Sequence, residues 1–311
     1  MESLAAATLW LAIAAAAAGT LLTWAHLLGL RLVMRRLATD LGEGPVVASI
    51  ERSDSRWADS LGSFATFASW GVAAALAVSL IARWRAVGHA PWSNMFEFTV
   101  AFAAAIALFY AAFGIVYRDD APQPAGAGPA PSRVLGAVAL PVVLTLLLVA
   151  QAFFPSDIRP LVPALQNSDL LAIHVATMIL AYGALSVSFA AAVLFLAQGK
   201  QGRFARLPSS EALDDLAYRS VMIGFPLLAA GIALGAYWAN SAWGRYWGWD
   251  PKETSALVTW LVYGVYLHMR GIRGWTGNRS AVVLIGGFGA MIFSYFVVNL
   301  WVSGLHSYAG V

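Results

Sequence analysis

Eight largely apolar stretches of this chain run for about 20 residues or more, and that pattern leaves few folds open. They lie at residues 4 to 30, 61 to 82, 96 to 117, 134 to 154, 169 to 197, 219 to 239, 251 to 270 and 280 to 302, each end approximate. An α-helix needs roughly 20 apolar residues to cross a hydrocarbon core of about 30 Å, whereas a transmembrane strand needs only about 9–11. The bilayer admits helices and closed barrels alone. The expected fold is therefore an all-α integral membrane protein, a bundle of about eight transmembrane helices forming one polytopic domain over residues 1–311. An apolar content of 60% with 11% charged residues agrees, since soluble chains carry roughly 25% charge. The first apolar run is longer than a signal-peptide core of about 7–15 residues. Its first charge is Glu2, and it reads as a retained span.

Lys and Arg set the expected orientation. With the N-terminus outside, only Arg83, Arg85, Arg159, Arg245 and Lys252 of the 19 basic residues fall in outer loops. The excess inside follows the positive-inside rule and leaves both termini on the outer face. The formal charge of +3 thus reports topology first, and nucleic acid is not an expected partner; the lipid bilayer is. Residues 121–131, rich in Pro and Gly, read as a flexible cytoplasmic loop. The connections at 40–60 and 198–218 mix charges without a motif and read as solvated. Pro141 and Pro226 are expected to kink spans four and six or to sit in their first turns. Gly231 with Gly235, and the cluster Gly286, Gly287 and Gly289, mark faces where neighbouring helices approach closely. The chain has no cysteine, so any thiol chemistry must come from another molecule.

One connection departs from turn chemistry. Residues 240–253 hold Trp243-Gly244-Arg245-Tyr246-Trp247-Gly248-Trp249-Asp250-Pro251-Lys252-Glu253, four bulky aromatics where small polar residues are usual. Asp250, Pro251 and Glu253 form the signature of a helix start, a cap followed by Pro at the first position and Glu at the third. Capping leaves the tryptophans unexplained. An interfacial aromatic belt is the ordinary alternative, and Tyr237, Trp238 and Trp301 are assigned to it. Interleaving with Gly244 and Gly248, which permit close approach, favours contact between Trp243, Trp247, Trp249 and a flat apolar ligand.

Depth sorts the five histidines. His174 lies about five residues into span five and His306 follows span eight, so both can flank the loop. His268 lies about 26 Å along span seven from Pro251, near the inner face, at a depth shared with His26 of span one. His89 sits in the outer connection before Asn94, with no role assigned. A lone intramembrane imidazole can simply bond a carbonyl, but two beside a tryptophan platform point to haem, which takes axial imidazoles and broad apolar contact. Arg245 and Lys252, with Arg83 and Arg85 as alternates, could pair with its propionates.

The run Trp247-Gly248-Trp249-Asp250-Pro251-Lys252-Glu253-Thr254, followed by Trp260, resembles the WWD signature of the haem-handling superfamily, and eight spans select the CcsA/ResC branch of system II cytochrome c biogenesis. The segment Gly88-His89-Ala90-Pro91-Trp92-Ser93-Asn94-Met95-Phe96-Glu97 is also similar to a family segment. The resemblance implies an extracytoplasmic site for haem b in which His174 and His306 ligate iron and Asp250 belongs to the positioning loop. It implies an inner site with iron on His268, opposed by a histidine of a CcsB/ResB-type membrane partner, with His26 as the lower-ranked alternative. It places the chain in a holocytochrome c synthase of the cytoplasmic or thylakoid-type membrane, presenting haem to the Cys-x-x-Cys-His thiols of apocytochrome c. The alternatives are a multispanning transporter of another small molecule, a CcmC-like haem export or delivery protein without synthase activity, and a cofactor-free scaffold.

Overall fold

The computed structural model describes residues 1–41, 45–116, 132–158, 169–199 and 207–306, with side chains described except at 28–59, 132–133 and 273. Eight helices run through it: α1 Glu2–Leu41, α2 Pro45–Val87, α3 Met95–Val116, α4 Ser132–Phe153, α5 Asp169–Gln198, α6 Ser210–Trp243, α7 Pro251–Arg273 and α8 Asn278–Trp301. There is no strand among the described residues. The chain is an integral membrane helical bundle.

Seven of these helices carry a stretch long and apolar enough to cross a membrane, and the exception is α7. It has the length, 23 residues or about 34 Å, but Lys252, Glu253, Thr254, Ser255, Thr259, His268 and Arg270 dilute its hydropathy. The two cations are supported by neighbouring helices. Arg270 bridges to Asp214 of α6 at 2.6 Å, and Lys252 donates to the Ser294 carbonyl of α8 at 2.9 Å. Charged groups paired inside a bundle escape the cost of facing lipid.

Among the described residues, the two connections expected to be solvated are largely helical. α1 extends to Leu41 and α2 begins at Pro45, while α6 begins at Ser210, whose N-cap Ser209 accepts from the Ala212 N–H at 3.2 Å. Hydropathy marks where the bilayer ends, whereas a helix continues as long as its residues tolerate the conformation. Pro141 and Pro226 sit inside α4 and α6 rather than in their first turns. The Pro/Gly-rich segment 121–131 lies outside the described residues.

α1 pairs with α2, and α5 pairs with α6; α3 packs on α4 and α5, and α8 on α5 and α7. α5 is therefore central. Tyr110, Tyr182, Tyr263 and Tyr295 are among the largest fully buried side chains, and Tyr295 meets the Thr99 hydroxyl at 2.5 Å, as a buried phenol requires. Of the three clustered glycines of α8, Gly287 faces the Tyr263 ring, whereas Gly286 and Gly289 open onto free space. α8 widens by a π-helical turn at Phe293–Val297, and the Ser294 carbonyl within it takes the Lys252 ammonium.

Candidate functional site

The tryptophan-rich connection is built on the start of α7. Asp250 takes N-cap geometry and accepts from the Lys252 N–H at 3.1 Å, while Glu253 Oε2 accepts from the Asp250 N–H at 3.1 Å and from the Gly248 N–H at 2.8 Å. The capping box expected from the sequence is present. Its carboxylate also has a second use. Asp250 Oδ1 accepts from the Leu305 N–H at 2.6 Å and Oδ2 accepts from His306 Nδ1 at 2.8 Å, so one side chain both starts α7 and docks the segment after α8. A Cβ on Gly304 would lie 2.6 Å from Asp250 Oδ1. Only glycine lets that backbone approach the carboxylate.

His306 is seated on aromatic rings. Trp243 meets it edge to face with centroids 5.0 Å apart, and Trp238 lies 4.8 Å from Trp243 in the same manner. Trp238 is 3% exposed. It is part of this site and not a belt residue, because Gly231, Gly235 and Trp238 follow the i, i+4, i+7 spacing of one α6 face turned toward α5. Tyr237 and Trp301 point outward, 64% and 74% exposed.

His174, on α5, donates from Nδ1 to the Gly231 carbonyl at 2.7 Å. Its ring lies on Gly235, where a Cβ would stand 2.6 Å from Cε1. The glycine pair thus seats an imidazole as well as two helices. Because a carbonyl and a carboxylate can only accept, both His174 and His306 carry their proton on Nδ1 when neutral, and Nε2 bears the lone pair. A neutral imidazole with its other nitrogen tied to a carbonyl or carboxylate is the form in which histidine ligates metals.

Both imidazoles open onto one cavity of about 420 Å³, within the range of roughly 300–1,000 Å³ for small-molecule and cofactor sites. Trp84, Trp92, Phe98, Tyr182, Trp238, Tyr246 and Trp247 line it, together with His89, Asn94, Lys252 and Glu253. Trp247 is in the wall. Trp243 stands behind His306, outside the lining, and Trp249, at φ 58 and 70% exposed, touches Trp247 edge to face at 5.8 Å. Arg245 is exposed, its guanidinium lying over Gly248. Arg83 is engaged with Glu97 at 2.8 Å and lines a different cavity. Lys252 is the cation in this lining.

His268 and His26 lie elsewhere. His268 is exposed on α7, in a stripe with Val258, Leu261, Val265 and Ile272 at alternating spacings of three and four. His26 is 3% exposed within α1, which packs on α2 and α4, whereas α7 packs on α6 and α8. No three His, Cys, Asp or Glu side chains among the described residues converge as a bare metal ion would need. The arrangement fits a broad, flat, imidazole-ligated group. Trp84 escaped the reading of the sequence, while Trp92 and the two seating glycines were noted, in the segment before α3 and as a Gly-xxx-Gly pair, without a place in this site.

Electrostatics favour the docked tail at neutral pH. Burial lowers the pKa of His306 from its ordinary 6.5, against the opposing pull of Asp250. Burial pushes the Asp250 carboxyl up, but the Leu305 N–H, His306 and the Lys252 N–H outweigh it, and its pKa lies below 3.8. The folded state therefore favours neutral His306, and stability from this group is complete above pH 6.5 and declines as pH falls toward the lowered value. The Asp250 contribution persists until pH falls below the ordinary carboxylate value. Hydrogen exchange at the Leu305 amide, corrected for intrinsic rate, is expected to lose protection below pH 6.5 in the wild type; in a His306→Gln variant that loss should be absent. Identical profiles would refute the assignment.

Comparison with known proteins bears on the same residues. A family model described as cytochrome C assembly protein matches residues 92–306, a range that holds His174, His268, His306 and the whole tryptophan-rich connection. Proteins named cytochrome c biogenesis protein CcsA are similar over much of the chain. The one from Chlamydomonas reinhardtii is 38% identical over 239 residues, covering 75% of this chain and 65% of that protein. One from Prochlorococcus marinus is 36% identical over 265 residues, covering 76% and 80%. That of Guillardia theta is 37% identical over 258 residues, covering 75% and 81%.

Proposed function

The chain belongs to the cytochrome c assembly protein family, and on that premise we propose that it is a haem-handling subunit in cytochrome c biogenesis. The cavity bordered by His174 and His306 receives haem b as cargo and presents it to apocytochrome c. One observation carries this reading: imidazoles from α5 and from the segment after α8 border a single aromatic cavity, each tied at Nδ1 to a carbonyl or a carboxylate.

Within this reading, His174 and His306 hold iron in the neutral ligand form, and Trp247, Trp238 and Phe98 supply apolar contact to the macrocycle. Lys252 offers a charge to a propionate. Joining haem vinyl groups to the acceptor thiols is chemistry of the haem and of apocytochrome c, while this chain binds, orients and limits water and oxygen. A chain without cysteine offers no competing thiol. For the acceptor to supply its own axial histidine one ligand must leave, and His306, docked by a short segment onto Asp250, is better placed to leave than His174, which is held within α5 and bonded to α6. The distribution of basic loops supports an extracytoplasmic position for the cavity. The exposed His268, an imidazole costly to leave in lipid, supports an inner site completed by a CcsB/ResB-type partner.

The test is the haem content and spectrum of the protein purified with its partner from haem-replete cells. A Soret band is expected that falls to under about a tenth in the His174→Ala and His306→Ala double variant. A His268→Ala arm should lower the same band if loading proceeds from an inner site. A colourless wild-type complex, or full haem content in the double variant, would refute the reading.

A further inference from the structure

The connection between α2 and α3 borders the same cavity and has so far had no part in its chemistry. It is a built element. Gly88, at φ 78, ends α2 with its N–H on the Trp84 carbonyl at 2.9 Å, and Trp92 N–H turns back to the Ala90 carbonyl at 2.9 Å. Glu97 then clamps it. Its Oε2 accepts from the Ser93 N–H at 3.0 Å and the Ser93 hydroxyl at 2.7 Å, and its Oε1 accepts from Arg83 at 2.8 Å; Asn94 caps the Glu97 N–H at 2.9 Å. A carboxylate that is 2% exposed and takes three charge-assisted bonds holds a loop in one place.

The side chain so positioned is His89. Its Nδ1 lies 3.0 Å from the Ala90 carbonyl, which can only accept, so the neutral ring is protonated at Nδ1 and carries its lone pair on Nε2. This is the state of His174 and His306. The cavity is therefore lined by three imidazoles in one tautomer, each held by a different segment. A propionate would need a donor at Nε2, which this tautomer lacks; an iron needs the lone pair. His89 lies outside residues 92–306 of the family match.

We propose that His89 is a third axial ligand of the cavity, taking iron when His306 leaves. The inference rests on the haem reading above. It supplies what that reading lacks, a ligand that keeps iron six-coordinate and shielded from oxygen between the departure of His306 and the arrival of the acceptor's histidine, which then displaces His89. The rigid clamp suits such a role, since the receiving nitrogen waits in position and only haem or the tail has to shift.

The experiment uses the complex with its partner, reconstituted with haemin in detergent so that low yield from cells does not decide it. The His306→Gly protein should show a low-spin, six-coordinate ferric spectrum, and His306→Gly/His89→Gly should be high-spin and return to low spin with millimolar imidazole. A His306→Gly protein that is high-spin or binds no haemin overturns the proposal, as does a double variant that stays low-spin. If wild-type protein binds no haemin, or His174→Ala changes nothing, the haem reading itself has failed, a result distinct from the failure of His89 alone.

Discussion

An Asp250→Ala protein is expected to lose both stability and haem, and Asp250→Asn to lose mainly haem. Removing the carboxylate deletes an N-cap, at a cost of about 0.5–2 kcal/mol. It also strips the Leu305 N–H of its buried partner, about 1–3 kcal/mol more. The tail then carries His306 without an anchor. Asn is as good a cap as Asp, but with a single acceptor oxygen it cannot take both Leu305 and His306 as the carboxylate does at 2.6 and 2.8 Å. Loss of such an outer partner typically lowers metal affinity about 10–100-fold. Thermal unfolding and haemin titration of the two variants separate these effects. Equal haem affinity in Asp250→Asn and wild type would show that Asp250 serves the helix alone.

Gly235→Ala is expected to separate ligand binding from folding in the other direction. Alanine in place of glycine inside a helix stabilises by roughly 0.5–1 kcal/mol, so α6 itself should gain. The new Cβ would lie 2.6 Å from His174 Cε1 and 3.0 Å from Nδ1. Real side chains do not approach so closely, and the imidazole must leave its seat and its bond to the Gly231 carbonyl. Haem affinity should fall about 10–100-fold, while the protein stays folded. Gly286→Ala, with nothing within 4 Å, is the control and should leave haem binding unchanged. A Gly235→Ala protein that binds haemin like the control would mean that the ring finds another seat.

The start of α7 shows how much was legible in the chain. Asp250-Pro251-Lys252-Glu253 was readable as a cap because its bonds lie within four residues, and the structure contains them. Bonds from Asp250 to Leu305 and His306 join positions more than fifty apart, and nothing at either end announces the other. Trp238 shows the same limit. Its sequence neighbours suggest an interfacial belt, yet the phase of α6 puts it beside Gly235, and the tail closes over it. Conversely, 251–270 reads as a span, yet its polar residues set α7 apart from the seven more apolar helices, and Asp214 and Ser294 support two of its cations.

Hydropathy alone establishes that this chain is a helical membrane bundle, because about 20 apolar residues per segment can satisfy their backbone in lipid in no other way. Local pattern likewise establishes the helix start and the lack of any cysteine in the chain. Which histidines share a cavity, and which tryptophan stands in its wall and which behind it, are decided by packing. Those relations depend on helix phase and on contacts between remote segments, of which α5 against α6 and the tail against Asp250 are the decisive ones. A ligand site is made of such relations, and a linear pattern records only its parts.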